Sequence, residues 1–443
     1  MLPTLPICEK SHGGKIQRMK PSIRSARLAP RVFALLLTVV SLTGCSALFS
    51  GKRTDYDYRP DYGVDSSEFR RSLDVLGTEM VPQNSATVLE NGDEFFPSML
   101  EAIRAARASV NVEMFIFNKG KIATEFAQAM SAKAREGVEV RVLLDDWGSH
   151  PHELADQMKK AGVKLEWYKP LRIYAIYKVG DRTHRKILTV DGKIGYMGGV
   201  GIDDRWAGNA SNPKEWRETM VRVDGPVVAQ LQSIFMEDWV HTTGEVLSGE
   251  KQFPHIPASG QMLAQAIRSS RSDQSSMAKL LYYMAIQAAR KTIWIENAYF
   301  VPDGQVRRGL VEAAGRGVDV RVVVPGPHID IPMVRMASRF HYGELLDGGV
   351  KMFEYQPTMI HNKVMVVDGI WSTIGSINFV NRSMKKNAEA NVAIYDRGFA
   401  AIVETMIRAD LEKSKEFTKR MWKRRGLLAR FGEAVFWLFS ENY

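Results

Sequence analysis

The sequence predicts an α/β protein made of two tandem repeats, each a mixed β-sheet flanked by helices and packed as a pseudo-twofold pair. Three observations predict it. Ala-rich stretches of helical period alternate with Val/Ile runs of strand character. The same order of segments occurs twice. Of the 443 residues, 45% are apolar, which suits packed cores rather than disorder.

The duplication can be followed element by element. Met99–Arg107 and the run Val110–Phe117 are matched by Met284–Arg290 and Ile293–Phe300. Arg135–Leu144 is matched by Arg316–Val324, and Gly162–Pro170 by Gly349–Pro357. Each half therefore reads as helix, strand, helix, strand, helix, strand and hairpin, over residues 85–245 and 246–410. The Gly/Ser/Pro segment Leu247–Gly260 is the expected connection. Apolar strands between helices imply a largely buried mixed sheet.

The ends differ from this body. Of a formal charge of +10, residues 1–44 carry +6 and residues 413–430 carry +7, so the remainder is −3. The basic character thus lies outside the repeats, which argues against nucleic acid as a partner. Arg24, Arg27 and Arg31 precede a short apolar run, Val32–Leu42, and then Leu42-Thr43-Gly44-Cys45. That order is the order of a secretory signal, with an apolar run too short to span a bilayer. Its end resembles a bacterial lipobox. The resemblance implies a signal over 1–44, cleavage before Cys45 and acylation of its sulfur, with 45–84 as a tether. An uncleaved apolar anchor is the alternative. No structural disulfide is expected from Cys8 and Cys45. The tail, 411–443, joins basic residues to Phe417, Trp422, Phe431, Phe436 and Trp437. It reads either as an interfacial amphipathic helix or as a terminal helix packed on its own domain.

The chemistry sits in one pattern that occurs twice, His184-x-Lys186-x4-Asp191 and His361-x-Lys363-x4-Asp368. A shuffled chain of this composition would show roughly 0.03 such matches, so two at equivalent places are specific. Side chains two apart on a strand share a face, which pairs His184 with Lys186 and His361 with Lys363. Asp191-Gly192 and Asp368-Gly369 are hairpin-turn signals. The two aspartates join the candidate catalytic set, the alternative being that the turn alone explains them. The returning strands end in Gly198-Gly199-Val200-Gly201 and Gly375-Ser376-Ile377-Asn378. Glu113 and Glu296 occupy matching strand positions, as ion-pair partners or as site residues.

These paired motifs resemble the HKD motifs of the phospholipase D superfamily. Ile360–Asp368, Ile374–Phe379, Arg382-Ser383 and Asn387-Ala388-Glu389, with Trp216–Pro226, are similar to the bacterial cardiolipin synthase branch. The resemblance implies two phospholipase D-like repeats sharing one active site. It implies His184 as nucleophile and His361 as general acid and base, roles that the residues alone leave open. Lys186 and Lys363 would stabilise the phosphoryl oxygens, and Glu218 and Glu389 would orient a histidine from its other ring nitrogen. Ser376, Asn378 and Gly199 are the candidate phosphate contacts. The second half supplies most donors, because Gly201 stands where that half has Asn378.

No metal and no cofactor are expected, since the lysines supply the electrostatics that an ion supplies elsewhere. His150 and His152 lie in a poor context for a ligand pair. The expected reaction is phosphatidyl transfer between phospholipids, making cardiolipin. Phospholipase D hydrolysis to phosphatidic acid is one alternative, and a phosphodiesterase-type nuclease is another. The expected setting is a bacterial envelope membrane, facing the periplasm or exterior. One chain holds both motifs, so a monomer suffices, and an accessory protein is left open. The first half alone carries Leu171–Gly180 before its motif, an insert that either admits acyl chains or is an ordinary extra strand pair. The loop Pro325–Pro332 is an expected pocket wall, with His328 as a headgroup contact or a plain surface histidine.

Overall fold

The computed structural model describes residues 55–74, 78–170, 182–269 and 277–438. Cys45, the lipobox and the insert Leu171–Gly180 lie outside the described residues.

The first half contributes β1 (Val81–Glu90), β2 (Ser109–Met114), β3 (Glu139–Asp145), β4 (Lys164–Tyr168), β5 (Lys186–Val190), β6 (Ile194–Gly198) and β7 (Thr219–Asp224). The second contributes β8 (Met262–Ser269), β9 (Thr292–Asn297), β10 (Asp319–Pro325), β11 (Lys351–Tyr355), β12 (Lys363–Val367), β13 (Trp371–Gly375) and β14 (Glu389–Tyr395), followed by a short β15 (Ser414–Glu416). All join in one mixed sheet, ordered β15-β11-β10-β9-β12-β13-β14-β8-β1-β7-β6-β5-β2-β3-β4. Read outward from the β1–β8 seam, the two halves have the same strand order. β1 and β8 run antiparallel, with Val81 opposite Ala264 and Asn84 opposite Met262. That seam is the centre of the pseudo-twofold pair.

Within each half the parallel strands are those separated by helices: β2 with β3 and β3 with β4, β9 with β10 and β10 with β11. A parallel neighbour requires a crossover, which the helices Lys121–Arg135 and Gly304–Gly315 provide. Helices on the faces bury the central strands, so β2, β5 and β12 have every residue buried. Each half has its own apolar core, around Phe95, Phe126 and Trp206 in the first and around Phe300, Met352 and Trp371 in the second. A third cluster is shared, joining Ile187, Val221 and Leu231 to Val364, Ile374 and Val403. This shared layer locks the halves together and sets the separation of β5 and β12.

Both hairpins after the motifs turn at Asp-Gly. Asp191 and Gly192 have φ of 51° and 62°, and Asp368 and Gly369 have 52° and 62°. Each pair occupies the two central positions of a turn closed by Lys193 N donating to Val190 O or by Ile370 N donating to Val367 O, and two consecutive positive φ values let such a turn match strand twist.

Candidate active site

His184 and His361 immediately precede their strands and line one cavity of about 340 Å³. They reach it by an exchange between the halves. The segment before β5 lies beside Ala388: His184 N donates to Ala388 O at 2.8 Å, and Ala388 N donates to Arg182 O at 3.0 Å. The segment before β12 lies beside Arg217 in the same way, with His361 N donating to Arg217 O at 2.7 Å and Arg217 N to Met359 O at 2.9 Å. Each histidine thus meets the glutamate that follows the other motif. His184 Nδ1 is 2.8 Å from Glu389 Oε2, and His361 Nδ1 is 2.6 Å from Glu218 Oε2. Sequence reading ties Glu218 and Glu389 to histidines without revealing that the pairing crosses.

The lysines lie under the histidines. Lys186 and Lys363 are each 1% exposed. Lys186 Nζ donates to His184 O at 2.6 Å, and Lys363 Nζ donates to His361 O. Lys363 Nζ also lies 2.8 and 3.1 Å from the two ring nitrogens of His361. Burial draws Lys186 down to about 7 and Lys363 down to about 8, against the pull of Glu389 and Glu218. Burial also brings His184 down to about 4 and His361 well below its ordinary value, Lys363 adding to the latter effect. Glu218 is raised to about 7 by burial, although Lys363 opposes it. Burial acts on Glu389 too, but His184, Lys186 and the Ser376 hydroxyl outweigh it and hold this carboxyl below its ordinary range.

The remaining candidates divide. Asn378 lines the cavity, and its buried Oδ1 has no hydrogen-bond partner among the described residues. Ser376 does not line it. Its hydroxyl donates to Glu389 Oε2 at 2.5 Å and accepts from Ala390 N, so it supports the glutamate. Gly199, the counterpart of Ser376, is also away from the cavity wall. A Cβ there would lie 2.3 Å from a Glu218 carboxylate oxygen, so the glycine makes room for that side chain. Asp191 and Asp368 are placed at the opposite ends of β5 and β12 from the histidines. Asp191 accepts from the backbone N–H groups of Arg107, Ala108 and Ser109, the last two at 2.7 and 2.9 Å. Asp368 accepts from those of Arg290, Lys291 and Thr292, at 2.7–2.8 Å. The structure does not bring the aspartates to the cavity, and their oxygens are engaged in tying each hairpin to the start of β2 or β9. Glu113 and Glu296 lie fully buried beneath the site. Glu113 accepts from Thr183 Oγ1, and Glu296 accepts from Asn362 Nδ2 at 2.5 Å.

Sequence reading passes over Arg182, Arg205, Trp147 and Tyr299, which also line the cavity. A signal was present for some. Arg182 stands two before His184 on an extended segment. Tyr299 matches Ile116 in the repeat alignment, and both follow the C-terminal end of a central strand. The loop Pro325–Pro332 does form a wall, through Asp330 and Ile331, while His328 is exposed and away from it. Among the described residues no group of three or more His, Cys, Asp or Glu is placed to hold a metal ion.

The model of the cardiolipin synthase, phospholipase D-like domain family matches residues 99–239 and 282–411. The chain belongs to this family. It is 34% identical to a probable cardiolipin synthase, YwiE, of Bacillus subtilis over 84% of this chain and 75% of that protein. It is 37% identical to cardiolipin synthase A of Pseudomonas putida over 79% of this chain and 73% of that one. Among solved structures, phosphatidylserine synthase of Haemophilus influenzae shares the fold, with a TM-score of 0.64 at 14% identity, covering 84% of this chain and 96% of that one. The two matched ranges of the family fall one in each half of the sheet, as the duplicated strand order requires.

Proposed function

We propose that this chain is a phosphatidyltransferase that works through a phosphohistidine and makes cardiolipin from phosphatidylglycerol. The observation that carries the reading is the crossed pair of histidines on one cavity, each backed by a buried glutamate and a buried lysine, between apolar walls. The names of its relatives point to the same chemistry.

The surroundings support His184 as nucleophile. With Glu389 ionised, His184 donates Nδ1–H to it and keeps its lone pair on Nε2. That nitrogen attacks phosphorus, and the bond from phosphorus to the glycerol oxygen breaks. The His361–Glu218 pair, whose carboxyl is raised to about 7, holds a proton at neutral pH and gives it to the leaving glycerol. The hydroxyl of a second phosphatidylglycerol then attacks, its proton returns to the His361 pair, and the phosphorus–nitrogen bond breaks. Lys186 and Lys363 act as fixed cations toward the phosphoryl oxygens, and an arriving phosphodiester anion favours their charged forms. Asn378 offers its amide to the same oxygens. Water in place of the second alcohol would give phosphatidic acid.

The deciding experiment is lipid analysis of membranes expressing the protein, beside His184→Ala and His361→Ala forms. New cardiolipin with the parent only is the expected result. Phosphatidic acid without cardiolipin would make the chain a hydrolase, and DNA cleavage with neither lipid change would make it a nuclease.

The membrane setting follows the family. We read 1–44 as a lipoprotein signal, Cys45 as the acylated residue, 45–84 as tether, 85–245 and 246–410 as the repeats, and the active site as facing the periplasm or exterior. Cys45→Ser should shift the protein out of acyl-labelled material, with label retained in the variant as the contrary outcome.

A further inference from the structure

The C-terminal helix Leu427–Leu438 has two apolar faces, and only one is used. Phe436 and Trp437 face inward. Trp437 stacks on Phe340 at 4.7 Å, and Gly432 lies directly against Met336. Buried Glu433 on the same side pairs with Arg425. The opposite face carries Leu427, Leu428, Phe431, Val435 and Leu438. At 100° per residue these five fall within a single arc of about 100°. Leu427, Leu428, Phe431 and Leu438 are 82%, 88%, 68% and 58% exposed. Scattered exposed leucines need no explanation, but a continuous stripe at helical spacing does.

The position of the stripe indicates what covers it. Its helix packs on the helix Pro332–Phe340: Gly432 lies against Met336, Trp437 stacks on Phe340, and Phe436 packs against the cluster of Val301, Val334, Ala337 and Val380, of which Val334 and Val380 line the cavity. At the start of Pro332–Phe340, Ile331 and Met333 are exposed, and Ile331 is part of the cavity wall. Trp147, 52% exposed, stands on the cavity wall from the first half. The helix thus adjoins the cavity wall, and exposed apolar side chains stand at the mouth of the active site. Immediately before the helix stand Arg420, Lys423, Arg424 and, within it, Arg430, all exposed. An apolar stripe flanked by cations is complementary to an anionic lipid surface. No helix among the described residues is long and apolar enough to cross a membrane, so such a surface would be met from the side.

We infer that the outer face of Leu427–Leu438, with Ile331, Met333 and Trp147, is a docking surface for an anionic lipid bilayer. It sets the cavity mouth against the lipid plane, so that a phosphodiester headgroup enters while its acyl chains remain at the apolar rim. The inference rests on the lipid-substrate reading above, and its test separates the two.

The test uses the full chain in a Cys45→Ser background, so that no acyl group at that residue contributes. The probe is vesicles of phosphatidylcholine with or without phosphatidylglycerol. Leu427→Ser, Phe431→Ser and Leu438→Ser together should weaken co-sedimentation with the anionic vesicles at least about tenfold, as lost burial of three large side chains implies. Turnover of vesicle substrate should fall in step, while turnover of a soluble short-chain phosphatidylglycerol stays within about twofold. Arg424→Glu with Arg430→Glu is the second variant. It should weaken binding to the anionic vesicles only. Unchanged sedimentation of both variants overturns the inference. So does unchanged sedimentation of the serine variant accompanied by dissociation of a dimer, which would give the face to a second copy. If the parent turns over neither lipid form, the transferase reading fails, and the sedimentation result still decides the surface.

Discussion

His184 and His361 occupy equivalent places in the two halves, yet their surroundings differ. Glu389, behind His184, is held by hydroxyls, from Ser376 at 2.5 Å and Ser383 at 2.6 Å. Glu218, behind His361, has Gly199 where the other has Ser376, and Trp206 fills the space beside Gly201 where the other half has Asn378. The His361 ring lies among Trp206, Trp216 and Tyr299, at 5.5, 5.2 and 6.0 Å. One carboxyl is therefore kept ionised and the other raised, from the same backbone frame. The layer beneath shows a similar exchange. Arg185 pairs with Asp238 at 2.8 Å, while the equivalent Asn362 makes no such pair; Asp410 is instead met at 2.8 Å by Arg217, which stands where the other half has Ala388. Each buried aspartate keeps one arginine, and both arginines come from the first half. Duplication preserved positions, and the chemistry at them diverged in compensating pairs.

The largest effects should come from the histidines themselves. His184→Ala and His361→Ala should each lower transfer about 10³-fold or more. A substrate with an acidic phenol as leaving group sharpens the contrast, because such a group needs no proton. Release of phenol by His361→Ala should recover strongly in a single turnover, and that by His184→Ala should not. Rescue of the His184 variant instead would exchange the two roles. Next come Lys186→Met and Lys363→Met, each expected to lower kcat about 10²- to 10³-fold, the size of a lost oxyanion contact. Their matching positions predict losses within about tenfold of each other, measured on the same substrate; a loss in only one would confine charge stabilisation to one half.

Legibility follows the same division. The His-x-Lys spacing, the Asp-Gly turns and the repeated strand order are local patterns, and the alternation of a strand translates them directly into geometry. The crossing of Glu218 and Glu389 was not legible. It depends on two short parallel bridges between halves, which join residues 143 and 205 positions apart, and no local period encodes them. The place of Ser376 beside Glu389 was hidden for a related reason. Its hydroxyl has a nearer acceptor in Glu389, and that acceptor is known only once β13 and β14 are paired. Arg205 comes from a single 3-10 turn, Asp204–Trp206, whose path the sequence pattern does not specify.

The glutamates test the electrostatic side of the comparison. Glu218→Gln and Glu389→Gln should each lower kcat about 10- to 10²-fold, the range for a carboxylate that orients a functional histidine. Their pH behaviour should separate them. Unfolded, a glutamate titrates near 4.5, whereas folded Glu218 titrates at about 7. Between those values the folded protein holds one more proton than the unfolded chain, so stability falls as pH rises through the window. Glu389 is lowered, so its contribution is present above 4.5 and is lost only as pH falls below that. From pH 5 to 8 the unfolding free energy of the parent and of Glu389→Gln should therefore fall relative to that of Glu218→Gln, by an amount on the order of 1–3 kcal/mol, with Tm following in the same direction. Parallel curves for the parent and Glu218→Gln would remove the distinction between the two carboxyls.

The smallest effect is expected where the halves are most alike. Asp191 and Asp368 each accept three backbone N–H groups, at φ of 51° and 52°. Asparagine keeps an accepting Oδ1 and tolerates the left-handed region, so Asp191→Asn can retain all three acceptances on Oδ1, while Asp368→Asn retains those from Lys291 and Thr292 and loses the one that Oδ2 takes from Arg290. Each substitution should lower stability by about 1 kcal/mol and leave kcat within about twofold where the protein is folded. Denaturant unfolding beside steady-state turnover separates the two quantities. A hundredfold loss of kcat with stability unchanged would return the aspartates to the catalytic set, and would require an influence on the histidines along the length of β5 and β12. The hairpins give no route for that influence other than strand register, and register is held independently by the ladders to β2 and β9.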